Sequence, residues 1–299
     1  AQELRRIGPA LANLKKKNRV AILYSLDSLH ALNAMPFDAK TGYLTVLSQL
    51  YRALYTIGAE TDFVYPEDPR FADYDLVIVP ALYIAGDELL RRLSDYVKGG
   101  GHVLMTFKSG FCDENAAVRP AEAPGPLREA CGFAYQEFTN LREPLRLKGD
   151  PFKAGESNRV SVWAEYLKPE TCRPVAFYDH PVFGAFPAIT RNAFGKGLLT
   201  YEGTMLSDAL QEKVVAAALA EAGIGLPDGP LPAGVKAKHG VLADGAEVHA
   251  YFNFSGARRE IVYRREDGRD LLTGEPVRRA GKVALKPWDC VIVRAEKSR

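Results

Sequence analysis

A chain of 299 residues has room for about two domains. Hydrophobic residues make up 47% and charged residues 25%, ordinary globular values that exclude disorder as a description of the whole. Lys and Arg number 39 against 37 Asp and Glu, a net charge of +2, which gives no electrostatic case for nucleic acid or an anionic membrane as partner; no apolar run approaches the roughly 18 residues of a membrane span.

Residues 1–18 read as a helical lead-in. Leu4, Ile7, Leu11 and Leu14 fall at helical spacing, Pro9 is expected to start or kink the helix, and Lys15, Lys16 and Lys17 read as its solvated end. The segment has no apolar signal core, so no secretory address is visible and a cytoplasmic protein is expected. A compact apolar strand is predicted over 20–24. A long helix over 43–57 follows, with Tyr43, Leu47, Leu50, Leu54 and Ile57 on one face and Gly58 ending it. Strands are predicted over 61–65, 76–79 and 103–107. The continuous apolar run at 76–79 suggests a strand buried on both faces. Between the last two, Asp87 is placed as the cap of a helix whose apolar side is Leu89, Leu90, Leu93, Tyr96 and Val97. A short helix is expected near 126–130. Strands around 160–165, 173–178 and 198–202 come next, then a helix capped by Ser207 and ended by Gly223. This alternation predicts a doubly wound α/β domain over 19–224. The Gly- and Pro-rich stretch 225–234 reads as a linker, and the short alternating segments of 235–299 read as a small antiparallel β-sandwich.

A doubly wound sheet binds ligands at the carboxyl ends of its strands, so chemistry is sought in the loops there. Ser25-Leu26-Asp27-Ser28 lacks the glycines that let a backbone approach a phosphate. Pro80-Ala81-Leu82-Tyr83 occupies the turn where glutamine amidotransferase-like domains carry a nucleophilic Cys, and it holds neither Cys nor Ser. The most polar cluster follows the fourth strand. Lys108, Ser109, Phe111, Asp113, Glu114 and Asn115 are taken as a candidate interface or pocket-rim loop. Cys112, beside two acids, is no setting for a nucleophilic thiolate. His180 reads as a turn histidine bonded to its neighbours. Glu165 and Glu170 read as surface charge rather than a carboxylate pair, and Trp163 and Trp288 as core or interface packing rather than sugar platforms. Cys112, Cys131, Cys172 and Cys290 lie too far apart for a zinc motif and are expected as free thiols. No catalytic, cofactor-binding or metal-binding residue is assigned.

Several long segments, in order, resemble the C-terminal half of glycoside hydrolase family 42 β-galactosidases. They are NRVAILYSLDSLHALNAMPF (18–37), LVIVPALYIA (76–85), GGHVLMTFKSGFCDEN (100–115), PGPLREACGF (124–133), YDHPVFGAFPAITRNAFGKGLLTYEGT (178–204) and KPWDCVIV (286–293). The resemblance implies a doubly wound amidotransferase-like (flavodoxin-like) trimerisation domain over 19–224, followed by a small β-sandwich domain. It implies a homotrimer whose catalytic TIM barrel, on the N-terminal side, hydrolyses terminal β-galactosides with retention through two Glu residues. Neither Glu has a counterpart in this sequence, so the chain is expected to be inactive alone. It would touch substrate only through that barrel, with the loop at 108–115 helping to wall its funnel and residues 1–18 leading from it. No cofactor is implied. A free-standing scaffold or carbohydrate-binding protein built on the same two domains is the alternative.

Overall fold

Helix α1 (Gln2–Leu11) opens the computed structural model, which describes residues 2–296. Ala1, the last three residues and the Leu4 side chain of the predicted apolar stripe lie outside the described residues. The larger of two compact units spans 19–224. It begins with β1 (Val20–Leu23), α2 (Leu26–Ala34), α3 (Tyr43–Ile57), β2 (Thr61–Val64), β3 (Leu76–Val79), α4 (Asp87–Gly99) and β4 (His102–Thr106). The short α5 (Arg128–Cys131) and β5 (Phe133–Ala134) come next, then β6 (Phe138–Arg146), β7 (Arg159–Glu165), β8 (Lys168–Pro169), β9 (Arg173–Phe177), β10 (Pro187–Phe194), β11 (Gly197–Glu202), β12 (Thr204–Leu206) and α6 (Asp208–Glu221).

Seven strands form the main sheet in the order β2-β1-β3-β4-β11-β10-β9, parallel from β2 to β11 and antiparallel beyond. Successive side chains on a strand leave by opposite faces. Val20, Ile22, Leu76, Ile78 and Leu104 share a core with α3 and α6, while Ala21, Leu23, Val77, Val79, Val103 and Met105 share one with α4. Helices on both faces are the reason these strands carry unbroken apolar runs. A second sheet, β12-β7-β6, joins the α3 side through Val160, Trp163 and Leu206.

Local signals fix the helix ends. Gly58 adopts φ +89°, a left-handed conformation that costs a residue without Cβ little, and its N–H closes α3 on the Leu54 carbonyl. Ser207 Oγ accepts the Leu210 N–H at 3.3 Å to cap α6. For α4 the cap is Gly86 rather than Asp87; Asp87 is the first helical residue, where its carboxylate meets the positive end of the helix and pairs with Arg119. The stretch after β1, read as a loop, is helix α2, with Ser25 Oγ accepting the Ser28 N–H at 3.1 Å.

The second unit joins residues 1–18 to 225–299. Its strands are β13 (Val235–Val241), β14 (Glu247–Asn253), β15 (Arg259–Val262), β16 (Gly268–Asp270), β17 (Pro276–Val277), β18 (Lys282–Leu285) and β19 (Cys290–Ala295). A five-stranded antiparallel sheet, β13-β14-β19-β16-β17, faces the β15-β18 pair across a core of Val235, Tyr251, Val293, Ile261 and Leu285. Its other face, at Val248 and Ile292, receives Ile7, Leu11 and Leu14. Pro9 lies inside α1, in its last turn, rather than starting it. The lysines are therefore not a helix end: Lys15 bridges Val241 through paired backbone hydrogen bonds of 2.9 and 2.8 Å.

Gly240 lies beneath Leu14, and a Cβ there would sit 2.6 Å from the Leu14 Cγ. Gly240→Ala should lift this segment at a cost of about 1–2 kcal/mol, as overpacking does. Trypsin cleavage at the exposed lysines 15–17 should then quicken. Unchanged cleavage would show that Leu14 is not held there.

Candidate functional site

The carboxyl ends of β3 and β4 are occupied by the chain itself. Just after β3, Ala81 takes φ +30°, a strained conformation for a residue with a Cβ and the kind of sharp turn that presents a nucleophile in α/β hydrolases. Its side chain is only a methyl, and the turn is buried. The Ala81 N–H donates to Thr106 Oγ1 at 2.7 Å and the Leu82 N–H to Ser109 Oγ at 3.0 Å, so the donors that could form an oxyanion hole are already spent. Ser109 Oγ in turn donates to the Thr106 carbonyl at 2.7 Å. Beside it, Ser28 Oγ is bonded to both the N–H and the carbonyl of Ile84, at 3.1 and 3.3 Å. Among the described residues, the turn itself carries no nucleophilic side chain, and the N–H groups of Ala81, Leu82, Tyr83 and Ile84 are all bonded.

The candidate loop divides in two. Lys108 and Ser109 are buried, Phe111 and Asp113 half-buried, Glu114 and Asn115 exposed. Lys108 has φ +64°, and its side chain, 9% exposed, carries the ammonium into a box of rings. Nζ lies 3.6 Å from the centroid of Phe111, 4.3 Å from Phe138, 4.7 Å from Trp163 and 5.5 Å from Tyr83. Desolvation lowers the Lys108 pKa, against the pull of Glu165. Ring faces recover part of that cost, about 2 kcal/mol for a desolvated cation–π contact. Further out, Asp113 Oδ1 accepts the N–H groups of Asn115 and Ala117, both at 2.9 Å, which fixes the exposed turn. Phe111 also lines a shallow groove of about 190 Å³ with Val118, Arg119, Tyr135 and Gln136.

Beneath Lys108 lies a group the sequence did not reveal. Glu165 is wholly buried rather than surface charge. Its Oε1 accepts the Lys108 N–H at 2.8 Å, the Tyr135 hydroxyl at 2.8 Å and Trp163 Nε1 at 3.3 Å, and its Oε2 accepts the Tyr201 hydroxyl at 2.9 Å. Burial pushes its pKa up to about 7 despite these donors. Glu170 stays at the surface, ion-paired with Arg128, so the two acids form no catalytic pair. A second hidden acid, Glu202, accepts only Gln211 Nε2 at 2.7 Å among the hydrogen bonds of its side chain, and burial raises it to about 8. Both acids end strands, but nothing local marks them as buried. Lys108, Tyr135 and Tyr201, which enclose Glu165, lie far from it in the chain, and the partner of Glu202, Gln211, comes from α6.

Trp163 is packed in the core, stacked on Phe138 at 4.6 Å, whereas Trp288 is 72% exposed on a turn at φ +58° and so is not a core residue. His180 is the turn histidine the sequence suggested, Nδ1 accepting the Val182 N–H at 3.1 Å. Cys112, Cys131 and Cys172 are buried free thiols and Cys290 is partly buried. Among the described residues no three His, Cys, Asp or Glu side chains are grouped to hold a metal, and no helix is long and apolar enough to cross a membrane.

The turn after β3 in this two-faced α/β layer is filled by the chain's own hydroxyls, methyl and rings. Residues 18–225 match the β-galactosidase trimerisation domain, and the chain belongs to that family. It is 33% identical over 225 residues to the β-galactosidase Bga of Halorubrum lacusprofundi, covering 70% of this chain and 32% of that protein. It is 25% identical over 296 residues to the β-galactosidase LacZ of Lactobacillus acidophilus, covering 98% of this chain and 43% of that protein. Among solved structures, the GH42 β-galactosidase Gan42B of G. stearothermophilus superposes with a TM-score of 0.87 at 26% identity, over 99% of this chain and 44% of its own. The chain thus spans about a third to two-fifths of the length of the curated relatives it matches. Similarity to family 42 β-galactosidases, inferred from sequence segments, is thereby established.

Proposed function

We propose that this chain is the non-catalytic assembly part of a β-galactosidase that hydrolyses terminal β-D-galactosides with retention. Residues 19–224, an amidotransferase-like domain in this reading, join three copies; residues 225–234 connect them to the β-sandwich domain of 235–299. Catalysis belongs to a TIM barrel of the same protein on the N-terminal side. The loop from Lys108 to Asn115 walls the funnel leading to it, and the complex works in the cytoplasm. The observation that carries this reading is the filled turn at Ala81, whose backbone donors are bound by Thr106 and Ser109 and whose side chain cannot attack anything. The family match over 18–225 supports the trimer.

Light scattering on the purified chain should give the mass of three copies, and a chromogenic β-galactoside should stay intact in its presence. A mass of one copy removes the assembly role. Turnover that persists after host galactosidases are eliminated removes the non-catalytic one.

A further inference from the structure

The smaller unit holds a cluster of ionisable side chains on β13, β14 and the segment before them. His239 on β13 and His249 on β14 face each other as a cross-strand pair, with Nδ1 to Nδ1 at 2.9 Å. On its other side His239 Nε2 lies 2.8 Å from Asp228 Oδ2 and 3.1 Å from Arg265 Nη2. Asp228 also accepts the Tyr251 hydroxyl at 2.7 Å and Arg265 Nε at 3.0 Å. His249 is buried, and its Nε2 makes no hydrogen bond; a Glu247 carboxylate oxygen lies 3.4 Å away without the alignment of one. Tyr263 flanks the His249 ring, Tyr251 the His239 ring, and Lys16 Nζ donates to the His239 carbonyl at 2.5 Å.

The protons can be counted. A carboxylate at 2.8 Å requires a hydrogen on His239 Nε2. With both rings neutral, the one hydrogen between them must then sit on His249 Nδ1 and point at His239 Nδ1. That leaves His249 Nε2 bare and buried, as it stands in the structure. One added proton repairs it. The proton enters at His249 Nε2, facing Glu247, and the shared hydrogen crosses from His249 Nδ1 to His239 Nδ1. The charge then rests on His239, against Asp228, and every ring nitrogen has a partner.

We propose that His239 and His249 together form a binding site for a single proton, whose uptake tightens the hold of the 225–234 segment on β13. A second proton would put two cations beside Arg265. Burial, with His239 and Arg265 nearby, pushes the His249 pKa down to about 3, consistent with one proton and no more over the ordinary range.

Imidazole nitrogen NMR on the full, histidine-labelled chain tests this directly. At high pH His249 should be the Nδ1–H tautomer. On acidification it should become Nε2–H while staying neutral, in the same step that charges His239. His249 found as Nε2–H at high pH, or both rings gaining charge together, overturns the proposal. Glu247→Gln, at an exposed position, weakens the acceptor for the entering proton and should reduce proton affinity about three- to tenfold. An unshifted transition in that variant also counts against the site.

Discussion

Asp228→Ala should destabilise the smaller unit by about 3–5 kcal/mol, the usual cost of stripping one partner from a buried ion pair. Asp228 lies in a segment whose composition, GLPDGPLPAG over 225–234, suggests a flexible linker, yet its carboxylate is nearly enclosed. It takes Arg265 in a two-pronged grip, Nε and Nη2 both at 3.0 Å, together with Tyr251 and His239. Burial works to raise its pKa, but hydrogen bonds from His239 and Arg265 outweigh it and hold Asp228 well below the usual carboxylate range. A depressed carboxylate contributes stability that is present above its unfolded value near 3.8 and lost only as pH falls through its lower folded value. Ala leaves Arg265, half-buried, without its counter-charge. Asn keeps the shape and one acceptor, so it should fall between Ala and the native residue. Hydrogen exchange of β13 and β14 amides reads this unit alone. Protection reduced by less than about tenfold in Asp228→Ala would show that the grip holds nothing together.

The second large effect is on pH dependence in the larger unit. Glu202 has an ordinary value of 4.5 and is raised to about 8 by burial, and Glu165 is raised to about 7. Each binds a proton in the folded state that it has released in the unfolded chain over that interval. Stability is therefore full below about 4.5 and declines as pH rises, at about 1.4 kcal/mol per pH unit per retained proton. Glu202→Gln stays neutral throughout. The variant should match the native chain near pH 5 and exceed it above pH 8 by an amount on the order of 4 kcal/mol. Urea denaturation from pH 5 to 9 measures the two slopes. Parallel curves would mean that Glu202 is ionised in the folded protein and its burial is offset in some other way.

The two-faced sheet was legible in the sequence because burial on both sides leaves no room for polar alternation at Val20–Leu23 or Leu76–Val79. Strand β6, FTNLREPLR, was not: it is mostly exposed and is held by pairing with β7 rather than by an apolar face. Helix α2 is concealed because it buries only Ser28 and Leu32 and so carries no apolar stripe. At the candidate loop the sequence marked the polar segment but could not show that Lys108 turns inward. That depends on Phe138 and Trp163, which arrive from a different sheet. Glu165 was misread for the same reason, since its donors are assembled only by the fold.

The turn at Ala81 also limits what this scaffold could become. Placing a thiol there by Ala81→Cys would supply a side chain and nothing more, because Thr106 and Ser109 would still hold the two neighbouring N–H groups. Thr106 and Ser109 would have to change as well, and removing either hydroxyl would leave a buried N–H unpaired. Random substitution is thus far more apt to damage the packing of this turn than to give it chemistry.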